Sequence, residues 1–289
     1  MIIVTGASGQ LGSAVLDHLL KRVPAEQVGV SARDPHKLGG LRERGVRVRQ
    51  GDFGDPASLG DAFDGASTVL VVSANSTGGE AVRQHRNAID AAVTAGAKRI
   101  VYTSHMGADP SSPFPPMPDH AATEEALRQA GVAFTVLRNG FYTATVPLLL
   151  RHALDTGELR VPQDGAVAWT THADLAEAIA HILTDGRFDG RTPPLTGPEA
   201  MDMARVAEIA SRVTGRQIRR VVVPDEEYRR GLLSAGLPTP AADMLVGLFA
   251  ASRRGDFGPA DPALAGLLGR PATTVEDYLL TSLPAGPGR

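Results

Sequence analysis

Residues 1–12, MIIVTGASGQLG, run an apolar strand into a turn carrying Gly6, Gly9 and Gly12, and then into a helix-like sequence. Ile2, Ile3 and Val4 read as a buried parallel strand, and Leu11, Val15 and Leu19 recur every fourth residue on one face of the helix. Each glycine has its own expected task. Gly6 permits the tight turn, Gly9 lets backbone N–H groups approach a phosphate, and Gly12 lets the helix lie close on the sheet. The helix N-terminus supplies unpaired N–H donors and positive dipole, worth roughly 0.3–1 kcal/mol for an exposed charge, which suits a dinucleotide diphosphate. Ala7, Ser8, Gln10 and Leu11 complete the residues expected at the phosphates. The spacing is G-x-x-G-x-x-G rather than G-x-G-x-x-G, so the position between strand and helix carries the reading. A glycine-rich turn without a ligand is the alternative.

Outward from this turn, strand-like segments at 27–30, 46–50, 68–73, 99–104 and 134–137 alternate with helical periodicity at about 11–21, 56–63, 80–95 and 120–130. This βαβ repetition predicts an α/β fold with a Rossmann-like, doubly wound parallel sheet. Gly96 and Gly131 read as helix stops. After residue 140 the alternation loosens. Helix-like stretches at 173–183, 203–214, 225–235 and 240–250, with strand candidates at 191–195 and 218–223, predict a smaller, mostly helical C-terminal lobe. The expected division is a dinucleotide-binding domain at 1–140 and a substrate-binding lobe at 141–289, with segment exchange between the two compatible with the pattern. The two are expected to share a cleft at the sheet's C-terminal edge.

Composition narrows the function. A chain of 289 residues, 43% hydrophobic and 21% charged, reads as a soluble globular protein, able to bury about 75% of its unfolded surface. It has no cysteine, which excludes disulfides, thiolate metal sites and cysteine nucleophiles and leads us to expect the cytoplasm. The eight histidines are scattered without metal-ligand spacing, so no metal is expected. A formal net charge of −3 argues against nucleic acid as the main partner. The strand directly after Met1 leads to the expectation of no leader sequence, and no apolar run approaches the roughly 20 residues of a membrane span.

The ends of successive strands carry the cofactor reading. Where an acid would meet a free ribose 2′-hydroxyl, the chain offers Ser31-Ala32-Arg33, and Arg33, with Lys37 in reach, suits the 2′-phosphate of NADPH. NADPH is therefore the expected cofactor, with NADH as the second choice; a solvated charge is the bland reading of Arg33. Asp52 and Phe53 follow the third strand where adenine would lie, although Asp52 also reads as a helix cap and Asp55 before Pro56 as a better one. Ser73, Ala74 and Asn75 end the fourth strand and are expected beneath the ribose nearer the nicotinamide. Asn139, Gly140 and Phe141 end the sixth and are expected to border the nicotinamide and substrate. Phe141 and Tyr142 read either as stacking on an aromatic acceptor or as core.

Taken together, Thr5-Gly6-Ala7-Ser8-Gly9-Gln10-Leu11-Gly12, Ala32-Arg33-Asp34-Pro35, Gln84-His85-Arg86-Asn87, Tyr102-Thr103-Ser104, Leu137-Arg138-Asn139-Gly140-Phe141-Tyr142 and Leu268-Gly269-Arg270-Pro271 with Thr273-Thr274 make a pattern. The chain resembles the NmrA-like atypical short-chain dehydrogenases, and within them the bacterial NAD(P)H:quinone oxidoreductases of the type-2 kind. The resemblance spans nearly the whole length. It implies a Rossmann-like domain with a small substrate lobe, NADPH binding and hydride reduction of small quinones or related aromatic ketones, in a tailoring step of secondary metabolism among other settings. The same group includes non-catalytic NADP(H)-sensing regulators, which is the alternative. A monomer or homodimer acting on a small aromatic substrate is expected.

Typical short-chain dehydrogenases pair a tyrosine proton donor with a lysine four residues later. Here Tyr102, Tyr142, Tyr228 and Tyr278 are followed at that spacing by Met106, Val146, Leu232 and Ser282. No tyrosine-lysine pair exists, and the resemblance puts His120 where relatives carry the lysine. A quinone demands little acid catalysis because aromatisation drives its reduction, so alignment at about 3–3.5 Å is the main task left. His120 and His105 are the candidate donors, with Ser104 at the serine position of the fifth strand and Thr103 beside the cofactor. The bland readings are that His120 only contacts the ribose or cofactor amide and that His105 is an exposed loop residue. The stretch 111–118 is too proline-rich for a helix and reads as a surface loop or lid; Arg216, Arg219 and Arg220 read as a solvated face, and Asp174 as the cap of the helix after it.

Overall fold

The computed structural model describes residues 1–185 and 188–283. In chain order it begins with β1 (Ile2–Thr5), α1 (Gln10–Leu19), β2 (Val28–Ala32), α2 (Gly39–Glu43), β3 (Arg47–Gln50), α3 (Pro56–Phe63), β4 (Thr68–Val71) and α4 (Gly79–Thr94). It continues with β5 (Arg99–His105), α5 (Pro116–Gln129), β6 (Ala133–Asn139), β7 (Phe141–Tyr142), α6 (Thr145–Thr156), β8 (Glu158–Val161) and β9 (Val167–Thr170). Then come α7 (His172–Asp185), β10 (Gly190–Arg191), β11 (Ala200–Met201), α8 (Met203–Thr214), β12 (Arg219–Val222), α9 (Asp225–Ser234) and α10 (Thr239–Arg253). Two short helices, α11 (Ala263–Leu268) and α12 (Val275–Ser282), close the described chain.

Among the described residues the main sheet is parallel, with strand order β10-β6-β5-β4-β1-β2-β3. The order reverses between β1 and β4. In an open α/β sheet that switch opens a crevice at the strands' carboxyl ends. Side-chain alternation fills one face: Ile3, Val69, Val71, Ile100, Tyr102 and Val136 are buried in one cluster with Leu59 and Phe63 of α3, Ile89 of α4 and Leu127 of α5. Val15, Leu16 and Leu19 are buried on α1, which packs against α7. A fully buried Leu or Val contributes about 1.5–3 kcal/mol.

Two compact units emerge. The first comprises 1–110, 116–139 and 172–195; the second 111–115, 140–171 and 196–289. The first unit therefore reclaims α7 and β10 from beyond residue 140, because α7 covers α1 and β10 pairs with the edge strand β6. Within the second unit lie the three-stranded sheet β11-β9-β7, the parallel pair β12-β8, and α6 and α8 to α12.

Several sequence expectations shift in detail. The proline-rich stretch is partly helical: α5 starts at Pro116 and includes Pro118, which its first turn tolerates because amide N–H groups there have no helical acceptor to lose. Nor is the rest a surface loop. Ser112 and Phe114 are buried in the second unit, the Ser112 hydroxyl donating to Asp256 at 2.8 Å. Arg220 departs from the solvated face, since its guanidinium is largely buried against Asp164. Asp164 Oδ2 also accepts from the Met203 amide at 2.7 Å, and burial raises its pKa. Asp174 lies inside the first turn of α7 rather than at its cap.

Candidate active site

The opening turn is built of backbone. Gly6 has φ +63°, and the Gly9 amide donates back to the Gly6 carbonyl at 2.9 Å. Gly9 then occupies the N-cap of α1 with no side-chain cap, and no acidic residue stands in the helix's first turn. The tightest constraint falls on Gly12: a Cβ there would stand on the Gly6 carbonyl, 2.7 Å from its carbon. The glycine thus lets the helix close on its own turn, where we expected it to fit the helix to the sheet. Ala7 and Leu11 are buried beneath the turn, while Ser8, Gly9 and Gln10 are exposed. Behind it, the Thr5 hydroxyl donates to the Leu70 carbonyl at 3.0 Å and accepts from the Val72 amide at 2.9 Å, fixing the β1 and β4 ends across the switch point.

Along the carboxyl edge, Arg33 is exposed just past β2, and among the described residues no carboxylate pairs with it. Lys37 instead pairs with Asp34 at 3.5 Å. After β3, Asp52 Oδ1 accepts from the Gly54 amide at 2.8 Å, so one oxygen is spent on its own turn. Asp55 caps α3, accepting from the Ala57 amide at 3.3 Å. Phe53 is half-buried, its carbonyl held by Asn87 Nδ2 at 2.7 Å. The loop after β4 is tethered too. The Ser73 amide donates to Thr103 Oγ1 at 2.8 Å and the Ala74 amide to His85 Nε2 at 2.9 Å, whereas Asn75 is exposed.

Beyond this loop, α4, β5 and α5 bring three histidines and a tyrosine together. Tyr102, fully buried on β5, has its hydroxyl 2.8 Å from His120 Nδ1 on α5 and 3.4 Å from His85 Nδ1 on α4. His85 Nδ1 also meets Thr123 Oγ1 at 2.9 Å, and that hydroxyl donates to the Asp119 carbonyl at 2.8 Å. His105, at the end of β5 rather than in an exposed loop, stacks on His120 with centroids 6.5 Å apart and accepts the Gly107 amide on Nδ1 at 3.1 Å. Burial drives His85 down to about 4; burial and then Arg138 drive His105 to about 3. Burial foremost, then His105, His85 and Arg138, holds His120 well below its usual value. All three are neutral at pH 7.

Ser104 is committed elsewhere. Its hydroxyl donates to Glu124 Oε1 at 2.6 Å, and Glu124 Oε2 takes Arg138 at 2.6 Å and Arg191 at 2.7 Å. The Glu124 carboxylate is buried, so the serine fastens β5 to α5 through a charge-assisted bond.

The fold and this edge have matching counterparts. An NmrA-like family model covers residues 1–279. The chain belongs to the NmrA-like family. Quinone oxidoreductase 2 of Escherichia coli is 36% identical over 281 residues, covering 96% of each chain. The crystal structure of the NADPH-dependent quinone oxidoreductase from Escherichia coli in complex with NADPH superposes with a TM-score of 0.90, at 35% identity, over 98% of this chain and 100% of that one. Triphenylmethane reductase of a Citrobacter species, complexed with NADP(H), gives a TM-score of 0.89 at 34% identity, again over 98% and 100%.

In this NmrA-like chain the remaining candidates sit at the end of β6 and just past it. Asn139 is fully buried, and neither its amide nitrogen nor its amide oxygen has a hydrogen-bond partner among the described residues. Gly140 and Phe141 fall in the second unit. A Cβ on Gly140 would lie 2.9 Å from the Ala168 carbonyl, and the Phe141 ring packs among Phe114, Trp169 and Phe257 with centroids 5.2–5.5 Å apart. The ring thus serves the core of that unit. Sequence reading passed over Tyr102, His85 and Glu124 as site residues. Tyr102 was dismissed on spacing, Glu124 carried no sequence signal, and only the Gln84-His85-Arg86-Asn87 run pointed towards His85.

Proposed function

We propose that this protein is an NAD(P)H-dependent oxidoreductase that reduces quinones or related aromatic acceptors. The observation that carries the reading is the uncapped α1 N-terminus at the switch point, closed on a turn where Gly12 admits no Cβ. A pyridine dinucleotide fits the residues present. Backbone donors and the helix dipole would meet an anion at that turn, Arg33 stands among the described residues with no carboxylate paired to it, and Asn139 keeps a buried amide without partners there. The whole-length likeness to an NADPH-dependent quinone oxidoreductase supports the same choice.

In this reading Gly6, Ala7, Ser8, Gly9, Gln10 and Leu11 hold the diphosphate, and Arg33 forks onto the 2′-phosphate. Asp52 uses its second oxygen for the adenine amino group and Phe53 covers the ring. Ser73, Ala74, Asn75 and Thr103 line the ribose, and Asn139 lies at the nicotinamide end. The bound nicotinamide supplies hydride to the acceptor. His120 and His105 flank that end, and Ser104 keeps α5 in place through Glu124. A cytoplasmic monomer or homodimer is the working form, to be checked by size-exclusion chromatography.

NADPH consumption on adding a benzoquinone or naphthoquinone to the purified protein tests the proposal. Turnover at one NADPH per quinone is expected. Tight binding of both redox forms without turnover would make the protein a nucleotide sensor and overturn it.

A further inference from the structure

Resting on the functional reading above, we infer that Tyr102 and His85 hold His120 as a neutral imidazole whose Nδ1 accepts a hydrogen bond and whose Nε2–H is the site's proton donor. The direction of the bonds at His85 follows from one fixed donor. The Ala74 amide can only donate, so His85 Nε2 is an acceptor and the His85 proton sits on Nδ1. The Thr123 hydroxyl gives its hydrogen to the Asp119 carbonyl, which leaves its oxygen to receive His85 Nδ1–H. Tyr102 cannot donate to a protonated Nδ1, so at 3.4 Å from His85 it stands as an acceptor; in the inferred arrangement its own O–H goes to His120 Nδ1 at 2.8 Å, the shorter of the two contacts. His120 then carries its single proton on Nε2.

The surroundings favour that neutral form from every side. Burial is the main force against a positive charge on His120, and His105 from β5, His85 from α4 and the Arg138 guanidinium from β6 add to it in that order. Asp119, on the same helix, has its Oδ2 occupied by the Gly78 amide at 2.6 Å, and burial raises its pKa. The arrangement replaces a tyrosine-lysine pair by a tyrosine-histidine pair with reversed roles. The phenol, buried and pinned, is the positioning residue, and the partly exposed imidazole faces the reaction. Neutral imidazole is an established electrophile for a carbonyl-type oxygen in other folds.

The proton step balances without an imidazolium. After hydride arrives, the acceptor's oxygen anion takes the Nε2 proton as the Tyr102 hydroxyl proton moves to Nδ1. The bonds broken are Nε2–H and the Tyr102 O–H; those formed are the acceptor O–H and Nδ1–H. One phenolic anion is exchanged for another, with Tyr102 left as phenolate beside His85 Nδ1–H. Once product leaves, a solvent proton reloads Nε2 and the Nδ1 proton returns to Tyr102.

The test uses the full-length protein with 15N-labelled histidine, loaded with NADP+, and reads the His120 tautomer by NMR while steady-state rates are followed with a naphthoquinone from pH 5 to 8. The expected result is a neutral Nε2–H tautomer throughout and a flat kcat. Tyr102→Phe, a near-isosteric change, should scramble the tautomer and lower kcat about 10-fold, with NADPH Kd within about twofold of wild type. His120→Gln should lower kcat about 100-fold, the low end of general acid–base contributions. An imidazolium or an Nδ1–H tautomer in the wild type at pH 7 would overturn the inference, as would Tyr102→Phe leaving tautomer and kcat unchanged. A wild type that binds NADPH but reduces no quinone overturns the functional reading and the donor role with it. The tautomer measured on that same sample still upholds or overturns the hydrogen-bond arrangement.

Discussion

The anion-facing turn after β1 and the histidine cluster between α4, β5 and α5 solve opposite problems in one unit. The turn is contiguous, made of main-chain groups, and depends on the absence of side chains at Gly6 and Gly12. The cluster is assembled from residues 85, 102, 105, 120 and 138, and depends on three histidines whose charge burial suppresses. Backbone donors bind an anion with little reorganisation, whereas a proton donor has to be tuned by its neighbours. In the proposed reading, binding is therefore a property of one short segment, and chemistry a property of the packed sheet.

The largest expected effect falls on the cluster's support. Glu124→Ala removes the buried carboxylate that Arg138, Arg191 and Ser104 share, leaving Arg138 largely buried without it. A loss of about 3–5 kcal/mol is expected from denaturant unfolding. If the loss is below 1 kcal/mol (), the cluster is as forgiving as a surface pair, and the contrast with the turn fails.

On the turn's side, Gly12→Val drives a side chain into the Gly6 carbonyl. NADPH Kd should rise about 100-fold, close to 3 kcal/mol, while the circular-dichroism spectrum keeps its α/β form. Unchanged affinity would mean that the turn does not hold the diphosphate. Arg33→Ala sharpens the same side: NADPH affinity should fall by about 1.5–3 kcal/mol, the range for a charge-assisted bond, with NADH affinity unaltered. Equal losses for both nucleotides would remove the 2′-phosphate assignment.

Acid separates the two regions by titration. His85 titrates near 4 in the fold against about 6.5 when unfolded, so between those values the unfolded chain binds more protons. Stability is then present in full above pH 6.5 and is lost as the pH falls towards 4, at up to about 1.4 kcal/mol per pH unit for each such histidine. His85→Phe should flatten the slope of unfolding free energy against pH by up to one proton. A slope that stays the same would show that His85 is not buried neutral.

What could be read from the sequence follows the same division. Ile2 to Leu11, with the alternating strands behind it, announced the sheet because strand, turn and helix signals are local and backbone-determined. The extent of α5 was misjudged because Pro116 and Pro118 act as breakers in a helix interior but not in its first turn. The position of α7 was not legible, since its burial against α1 is a contact across about 150 residues of chain that no periodicity encodes. Tyr102 was set aside for a related reason. Its partner His120 lies on the next helix, so a search for a lysine four residues away looked along the chain when the partner was across the fold.

The most direct test of the central claim is single-turnover oxidation of NADPH bound to the wild-type protein, mixed with a stoichiometric naphthoquinone and repeated with NADPH deuterated at the transferred position. We expect rapid oxidation dependent on the quinone and a rate constant slowed well beyond unity by deuterium. Bound NADPH that stays reduced in the presence of quinone, or oxidation indifferent to the label, would contradict hydride transfer in this site.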